Sequence, residues 1–138
     1  VQAEFEVRER NPDAWPILLD MNGNLSEGPG SNFFIVRDGA VITPREQFIL
    51  AGISRSTTIE LAQELGIETR QEDIDLYDAY TADESFVTST SFCICPVNSI
   101  NGSKIGGGEI PGPVTSRLLN AYSGLVSMDI SGQYLAHL

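Results

Sequence analysis

The chain has 138 residues, 41% of them hydrophobic, and a formal net charge of −11. That suits one domain with a real core and excludes a disordered tail, a basic nucleic-acid-binding surface and attraction to an anionic membrane. No apolar run approaches the roughly 18 to 20 residues of a membrane span, and Val1-Gln2-Ala3-Glu4-Phe5 has neither the basic start nor the apolar stretch of a signal peptide.

In chain order, Asn11-Pro12-Asp13 breaks a charged opening. Ile17-Leu18-Leu19 reads as a short buried strand, Asn22-Gly23 as a turn, and Leu25-Ser26-Glu27 as the returning strand that delivers Glu27 beside Gly28-Pro29-Gly30. A second hairpin spans Asn32 to Thr43 with Asp38-Gly39 at its turn. Phe48-Ile49-Leu50 then leads to Ala51-Gly52 and a helix from Ser54 to Leu65. Ser54 is its expected N-cap, with a second capping register at Thr57 and Glu60. Thr58, Leu61, Ala62 and Leu65 form its expected inner face, and Gly66 its C′ glycine.

Ile67 to Gln71 reads as an edge-type strand and Asp75 to Ala79 as one helical turn. Ala82 to Val87 and Phe92 to Val97 read as strands around the hydroxyl run Thr88-Ser89-Thr90-Ser91. Asn101-Gly102 predicts a further hairpin, and Gly106-Gly107-Gly108 a flexible loop. The last helix, near Val114 to Val126, carries a stripe of Val114, Leu118, Tyr122 and Leu125. About seven or eight short strands with two helices make an α+β domain with a mostly antiparallel, barrel-like sheet and helices packed on it.

Two cysteines, Cys93 and Cys95, are spaced to share one face of a strand. They are too close in sequence for an unstrained disulfide and supply only half a zinc site, so they read as reduced thiols with no metal. Reduced thiols, an acidic surface and no leader suggest a cytoplasmic protein.

Three motifs carry chemistry. Glu27 is either a solvated turn residue or a carboxylate that holds a protonated ring nitrogen, as pyridoxal phosphate requires. Gly52-Ile53-Ser54 is either an ordinary helix start or a phosphate cup of unpaired backbone N–H groups, with Gly52 allowing close approach and Ser54 adding a hydroxyl. The run Thr88 to Ser91 is either a polar turn or the completion of a phosphate or carboxylate site.

The stretch Glu27–Arg55 resembles the class IV, or fold type IV, pyridoxal-phosphate aminotransferases. The matching positions are Glu27, Asn32-Phe33-Phe34, Thr43, and Leu50-x-Gly52-Ile53-x-Arg55, and similarity continues through Ala82-Asp83-Glu84, Thr90, Pro96-Val97 and Gly112-Pro113-Val114-Thr115. The resemblance implies pyridoxal 5′-phosphate as cofactor. Glu27 would meet the ring nitrogen, Leu50 a face of the ring, the amides of Ile53 and Ser54 the phosphate beside Gly52, and the Thr90 hydroxyl the phosphate. The amides of Thr90 and Ser91 would receive the substrate carboxylate. Pro29, Ser89 and Ser91 depart from the family pattern on the substrate side.

The family's Schiff-base lysine lies upstream of Glu27, and the one lysine here, Lys104, matches no catalytic position. The chain is therefore expected to be the single cofactor-binding C-terminal domain, 1–138, of a longer aminotransferase, inactive alone. The resemblance implies a homodimer that moves an amino group from a small-molecule donor, a branched-chain or D-amino acid, to a 2-oxo acid. The alternatives are an (R)-selective amine transaminase, an aminodeoxychorismate-lyase-like enzyme, or a non-catalytic domain that binds a phosphate ligand.

Overall fold

The computed structural model describes residues 17–28, 31–45, 52–89, 93–107 and 110–125. Their elements, in order, are β1 (Glu27–Gly28), β2 (Ser31–Arg37), β3 (Ala40–Thr43), α1 (Ile53–Glu64), β4 (Thr69–Gln71), α2 (Leu76–Tyr80), β5 (Glu84–Ser89), β6 (Cys93–Val97), β7 (Ser99–Ile100), β8 (Ser103–Lys104) and α3 (Pro113–Leu125). Six strands form one sheet in the order β4-β3-β2-β5-β6, with β1 added to β2. Strands β7 and β8 form a separate pair. The main sheet is antiparallel except where α1 carries the chain from β3 to a parallel β4. The fold is thus the expected α+β class, and the described strands make an open sheet rather than a closed barrel.

Strand β2 is central because its aromatic and β-branched run can be buried on both faces. Phe34 and Val36 join Val41, Phe86 and Ile94 against α1 and α3, which contribute Leu61, Ala62, Leu118 and Tyr122. Phe33, Ile35, Ile42 and Val87 face the other way, onto Leu25, Ile74, Ala79 and Ile105. Phe34 and Phe86 are direct cross-strand partners, stacked with centroids 4.7 Å apart.

One edge of β2 pairs with β5 along Asn32–Val36. The other edge is shared: β3 takes Ile35–Arg37, and β1 takes Ser31–Asn32. Where β3 leaves, the Thr43 hydroxyl donates to the Phe33 carbonyl at 2.7 Å. That buried bond satisfies an acceptor the departing strand no longer reaches.

Two of the three expected Asx-Gly hairpins form as strand pairs, with positive φ at Asp38 and Gly39 and at Asn101 and Gly102. The first expected hairpin is reduced to an isolated bridge between Leu19 and Leu25. Its ends still meet, because the Leu18 N–H donates to the Glu27 carbonyl at 2.8 Å.

Helix α1 is capped by Gly52, not Ser54, with no side-chain cap. Its inner stripe is Ser54, Arg55, Thr58, Leu61 and Ala62, while Leu65 is exposed. In α3 the buried stripe is Thr115, Leu118 and Tyr122, and Leu125 is exposed. The loop at Gly106 is packed rather than free, since a side chain there would collide with the Asp83 carbonyl.

The buried Glu84 carboxylate accepts from the N–H groups of Val114 at 3.0 Å and Thr115 at 2.8 Å, capping α3 from β5. Gly112 leaves the room for it, because a Cβ there would strike the Glu84 side chain. Replacing the carboxylate by an amide removes a charge-assisted cap at a helix N-terminus. Glu84→Gln is expected to destabilise by about 1–2 kcal/mol, measurable as a lower urea midpoint with an unchanged slope.

Candidate functional site

Glu27 ends the first loop of the described chain and lies opposite Asn32 in the β1–β2 ladder. Directly opposed residues share a face, so both side chains are on the helix side of the sheet with Phe34. The buried Asn32 amide donates from Nδ2 to Glu27 Oε2 at 3.4 Å, and its Oδ1 accepts from the Gly52 N–H at 3.3 Å. One carboxamide therefore joins the acid to the cap of α1.

At that cap the first intrahelical bond runs from the Ser56 N–H to the Gly52 carbonyl. The N–H groups of Ile53 and Ser54 have no partner among the described residues, as expected for a first turn without a side-chain cap. The first turn holds no acid, although acids are favoured there. Ile53 is 77% exposed, so this end of the helix is open. Unpaired amides, a helix dipole and no competing carboxylate fit a phosphate.

Ser54 itself is buried, and its hydroxyl donates to the Ser89 carbonyl at 2.9 Å. The Tyr122 hydroxyl lies 3.5 Å from Ser54 Oγ, so α3 braces this contact. The expected hydroxyl contribution of Ser54 to a phosphate is thereby replaced by an internal role, which leaves its amide. Ser89 ends β5 and pairs with Cys93. The α1 start is thus tied at one point to β2 and at another to the end of β5.

Of the residues named from the sequence, Glu27, Gly52, Ile53 and Ser54 come together at this end of the sheet. Leu50, Thr90 and Ser91 lie outside the described residues. Gly52 has extended backbone, with φ −84° and ψ 157°, so no strained conformation requires glycine. Close approach does: a Cβ would lie 2.9 Å from Asn32 Oδ1. The room left by the missing side chain is filled by Asn32.

Two contributors were not assigned a role from the sequence. Asn32 is a polar residue at the head of an aromatic strand, and its signal is its ladder position opposite Glu27. Arg55 is only 1% exposed and donates to the Pro44 carbonyl at 3.0 Å and to Gln71 Oε1 at 3.2 Å. It fixes the end of β3 and β4 to the first turn of α1. Its spacing three before Thr58 and seven before Ala62, on the buried stripe, is the signal that could have found it.

A cavity of about 250 Å³ lies apart from this junction, between α1 and the β3–β4 edge, lined by residues that include Phe34, Val41, Ile59 and Gln63. The amide and carboxylate chemistry is at the α1 cap, not there. Lys104 is exposed in β8 of the separate two-stranded sheet. Among the described residues no helix is long and apolar enough to cross a membrane.

The cysteines are free thiols, each half-buried. They do not share a face as expected. Cys93 has φ 61°, which turns it out of the regular pleat, so it packs with the helix-side cluster while Cys95 packs on the opposite one. Burial pushes the Cys95 thiol up from its ordinary value, because the thiolate is poorly solvated there. At about pH 8.5, where a free thiol is half ionised, Cys95 is expected to react with a disulfide reagent more slowly than a cysteine-containing peptide, and to catch up as pH rises. A rate equal to the peptide's would contradict this.

Residues 1–100 match the family model for amino-transferase class IV. The branched-chain-amino-acid aminotransferase of Escherichia coli (strain K12) is 46% identical over 110 residues, which is 79% of this chain and 35% of that protein. A solved T.th. branched-chain amino acid aminotransferase with pyridoxamine 5′-phosphate superposes with a TM-score of 0.84 at 34% identity, over 91% of this chain and 42% of that one. The branched-chain aminotransferase of the thermophilic archaeon Thermoproteus uzoniensis with norvaline gives a TM-score of 0.82 at 37% identity, over 91% and 41%. The chain spans about a third of the length of the curated relatives it matches.

Proposed function

Because this chain belongs to the amino-transferase class IV family, we propose that it is the cofactor-binding part of a pyridoxal-phosphate transaminase that moves the amino group of a branched-chain amino acid to a 2-oxo acid. The observation that carries the reading is the junction at the α1 cap, where an acid and unpaired helix amides are joined through Asn32. The residues present suit the cofactor. The Glu27 carboxylate would hold the ring nitrogen protonated. The amides of Ile53 and Ser54 would hold the phosphate. Leu50 would cover a ring face and Thr90 would reach the phosphate. When bound, pyridoxal phosphate supplies an electron sink for the substrate α-carbon.

The substrate carboxylate would be received by the amides of Thr90 and Ser91. The proton carrier at the α-carbon would be a Schiff-base lysine upstream of Glu27, since Lys104 lies in the separate β7–β8 pair and matches no catalytic position of the family. The branched-chain preference over D-amino acids follows the names of the relatives. A cytoplasmic location accords with the free thiols and the charge of −11. A homodimer accords with the exposed apolar side chains Leu18, Leu19, Met21 and Ile53, which further protein surface would cover.

The test is amine transfer by the complete protein, with L-leucine, L-valine, a D-amino acid or an (R)-amine as donor and a 2-oxo acid as acceptor. Transfer from the branched L-amino acids supports the reading. Transfer from the D-amino acid or the amine alone moves the assignment within the family. Cofactor bound without any transfer would overturn it in favour of a phosphate-ligand-binding domain, the reading that the position of Lys104 favours.

A further inference from the structure

Among the described residues, Asn32 is the one side chain that touches both chemical ends of the junction. Only one orientation of its amide satisfies both neighbours. The carboxylate of Glu27 accepts only, and the N–H of Gly52 donates only, so Nδ2 must face Glu27 and Oδ1 must face Gly52. A reversed amide would set two acceptors and two donors against each other. The carboxamide is also held in place. It is buried, lies in the β1–β2–β5 ladders opposite both Glu27 and Thr88, and fills the space that a Gly52 side chain would need.

From this we infer that Asn32 is a positioning residue that sets the Glu27 carboxylate at a fixed separation from the N-terminus of α1. Glu27 sits on the two-residue strand β1, whose backbone is held by Leu18 and by β2, while its side chain reaches the helix through Asn32. Helix α1 packs on the sheet through Leu61 and Ala62, and its first turn is tied to β2 through Asn32. A ligand held at one end by the acid and at the other by the amides is sensitive to their separation, and tolerances in such sites are a fraction of an ångström. The Asn32 carboxamide is the direct hydrogen-bonded link between the two. Gly52 is glycine, on this account, so that the amide can close on the cap.

This inference rests on the proposed cofactor site, and its test is arranged to separate the two. Parent, Asn32→Asp, Asn32→Ala and Gly52→Ala forms of the complete protein are compared by their dissociation constants for pyridoxal 5′-phosphate and by the pH titration of the bound cofactor's absorbance. Asn32→Ala removes one neutral and one charge-assisted hydrogen bond and is expected to weaken cofactor binding about tenfold. Gly52→Ala pushes the amide off the cap and weakens binding in the same direction.

Asn32→Asp keeps an acceptor for the Gly52 N–H but places a carboxylate against Glu27. Two adjacent carboxylates share a proton, so the absorbance titration moves along the pH axis, an effect that loss of packing alone does not produce. Unchanged affinity and titration in both Asn32 variants would overturn the role.

The tether is also read without cofactor, by a cycle of Glu27→Ala, Asn32→Ala and the double variant on Tm. A double variant less destabilised than the sum supports coupling, and strict additivity overturns it. A parent protein that takes up no pyridoxal phosphate would sink the proposed function, while the cofactor-free cycle still decides the tether.

Discussion

Glu27→Gln in the complete protein is expected to slow transamination by about one to two decades while leaving the cofactor bound. The neutral amide fills the same volume and can still meet Asn32, so the local fold survives. What is lost is the negative charge that the proposed site sets opposite the ring nitrogen. A charge-assisted hydrogen bond is worth about 1.5–3 kcal/mol, and that range converts to roughly 10- to 100-fold in rate when the interaction is needed in the transition state. Retention follows because the proposed phosphate end, at the amides of Ile53 and Ser54 in the first turn of α1, is untouched. The checks are steady-state kcat and cofactor content after dialysis. Parental turnover in the variant would remove Glu27 from the chemistry, whatever its position.

Gly106→Ala is expected to cost about 2–4 kcal/mol of stability, combining a left-handed backbone that alanine disfavours with a collision in a packed site. Gly106 has φ 57°, and a Cβ would run into the Asp83 carbonyl. Asp83 cannot easily give way. Its N–H donates to the Val36 carbonyl at 2.8 Å, and its carboxylate accepts from the Asp38 N–H at 2.9 Å. Both bonds fix it to the β2–β3 hairpin. Gly107→Ala is the control, because nothing lies within 4 Å of a side chain there and its backbone is not left-handed. The two variants share composition and differ by one position, so a thermal scan separates site-specific strain from a general effect of adding methyl groups to the loop. Equal midpoints would refute the packed reading of this turn.

The same contrast marks where local reasoning stops. Three glycines in a row read as a flexible loop, yet Gly106 is closed against Asp83, just ahead of β5 and more than twenty residues earlier. The hairpin turns were legible because Asp-Gly and Asn-Gly carry their backbone geometry with them. The helices were legible because apolar spacing and a terminal glycine report on neighbours three and four residues away. Their inner faces were only partly so. Arg55 is buried and Leu65 exposed, because what covers a helix is decided by strands remote in sequence. The parallel β4 and the open sheet follow from the crossover made by α1, which no local pattern fixes.

For the site, residue identity alone determined the chemistry on offer: an acid near a glycine turn, a glycine-led helix start, a run of hydroxyls, and a spacing that matches the class IV aminotransferases. Tertiary structure decided which of those groups remain available. It turned the Ser54 hydroxyl inward to Ser89, left the amides of Ile53 and Ser54 without a partner among the described residues, and gave the space at Gly52 to Asn32. The reason is physical. Composition and spacing specify which donors and acceptors a chain carries, but a buried donor must find an acceptor somewhere. Only the packing of β2, β5 and α1 at one end of the sheet sets which partners are used up and which are left for a ligand.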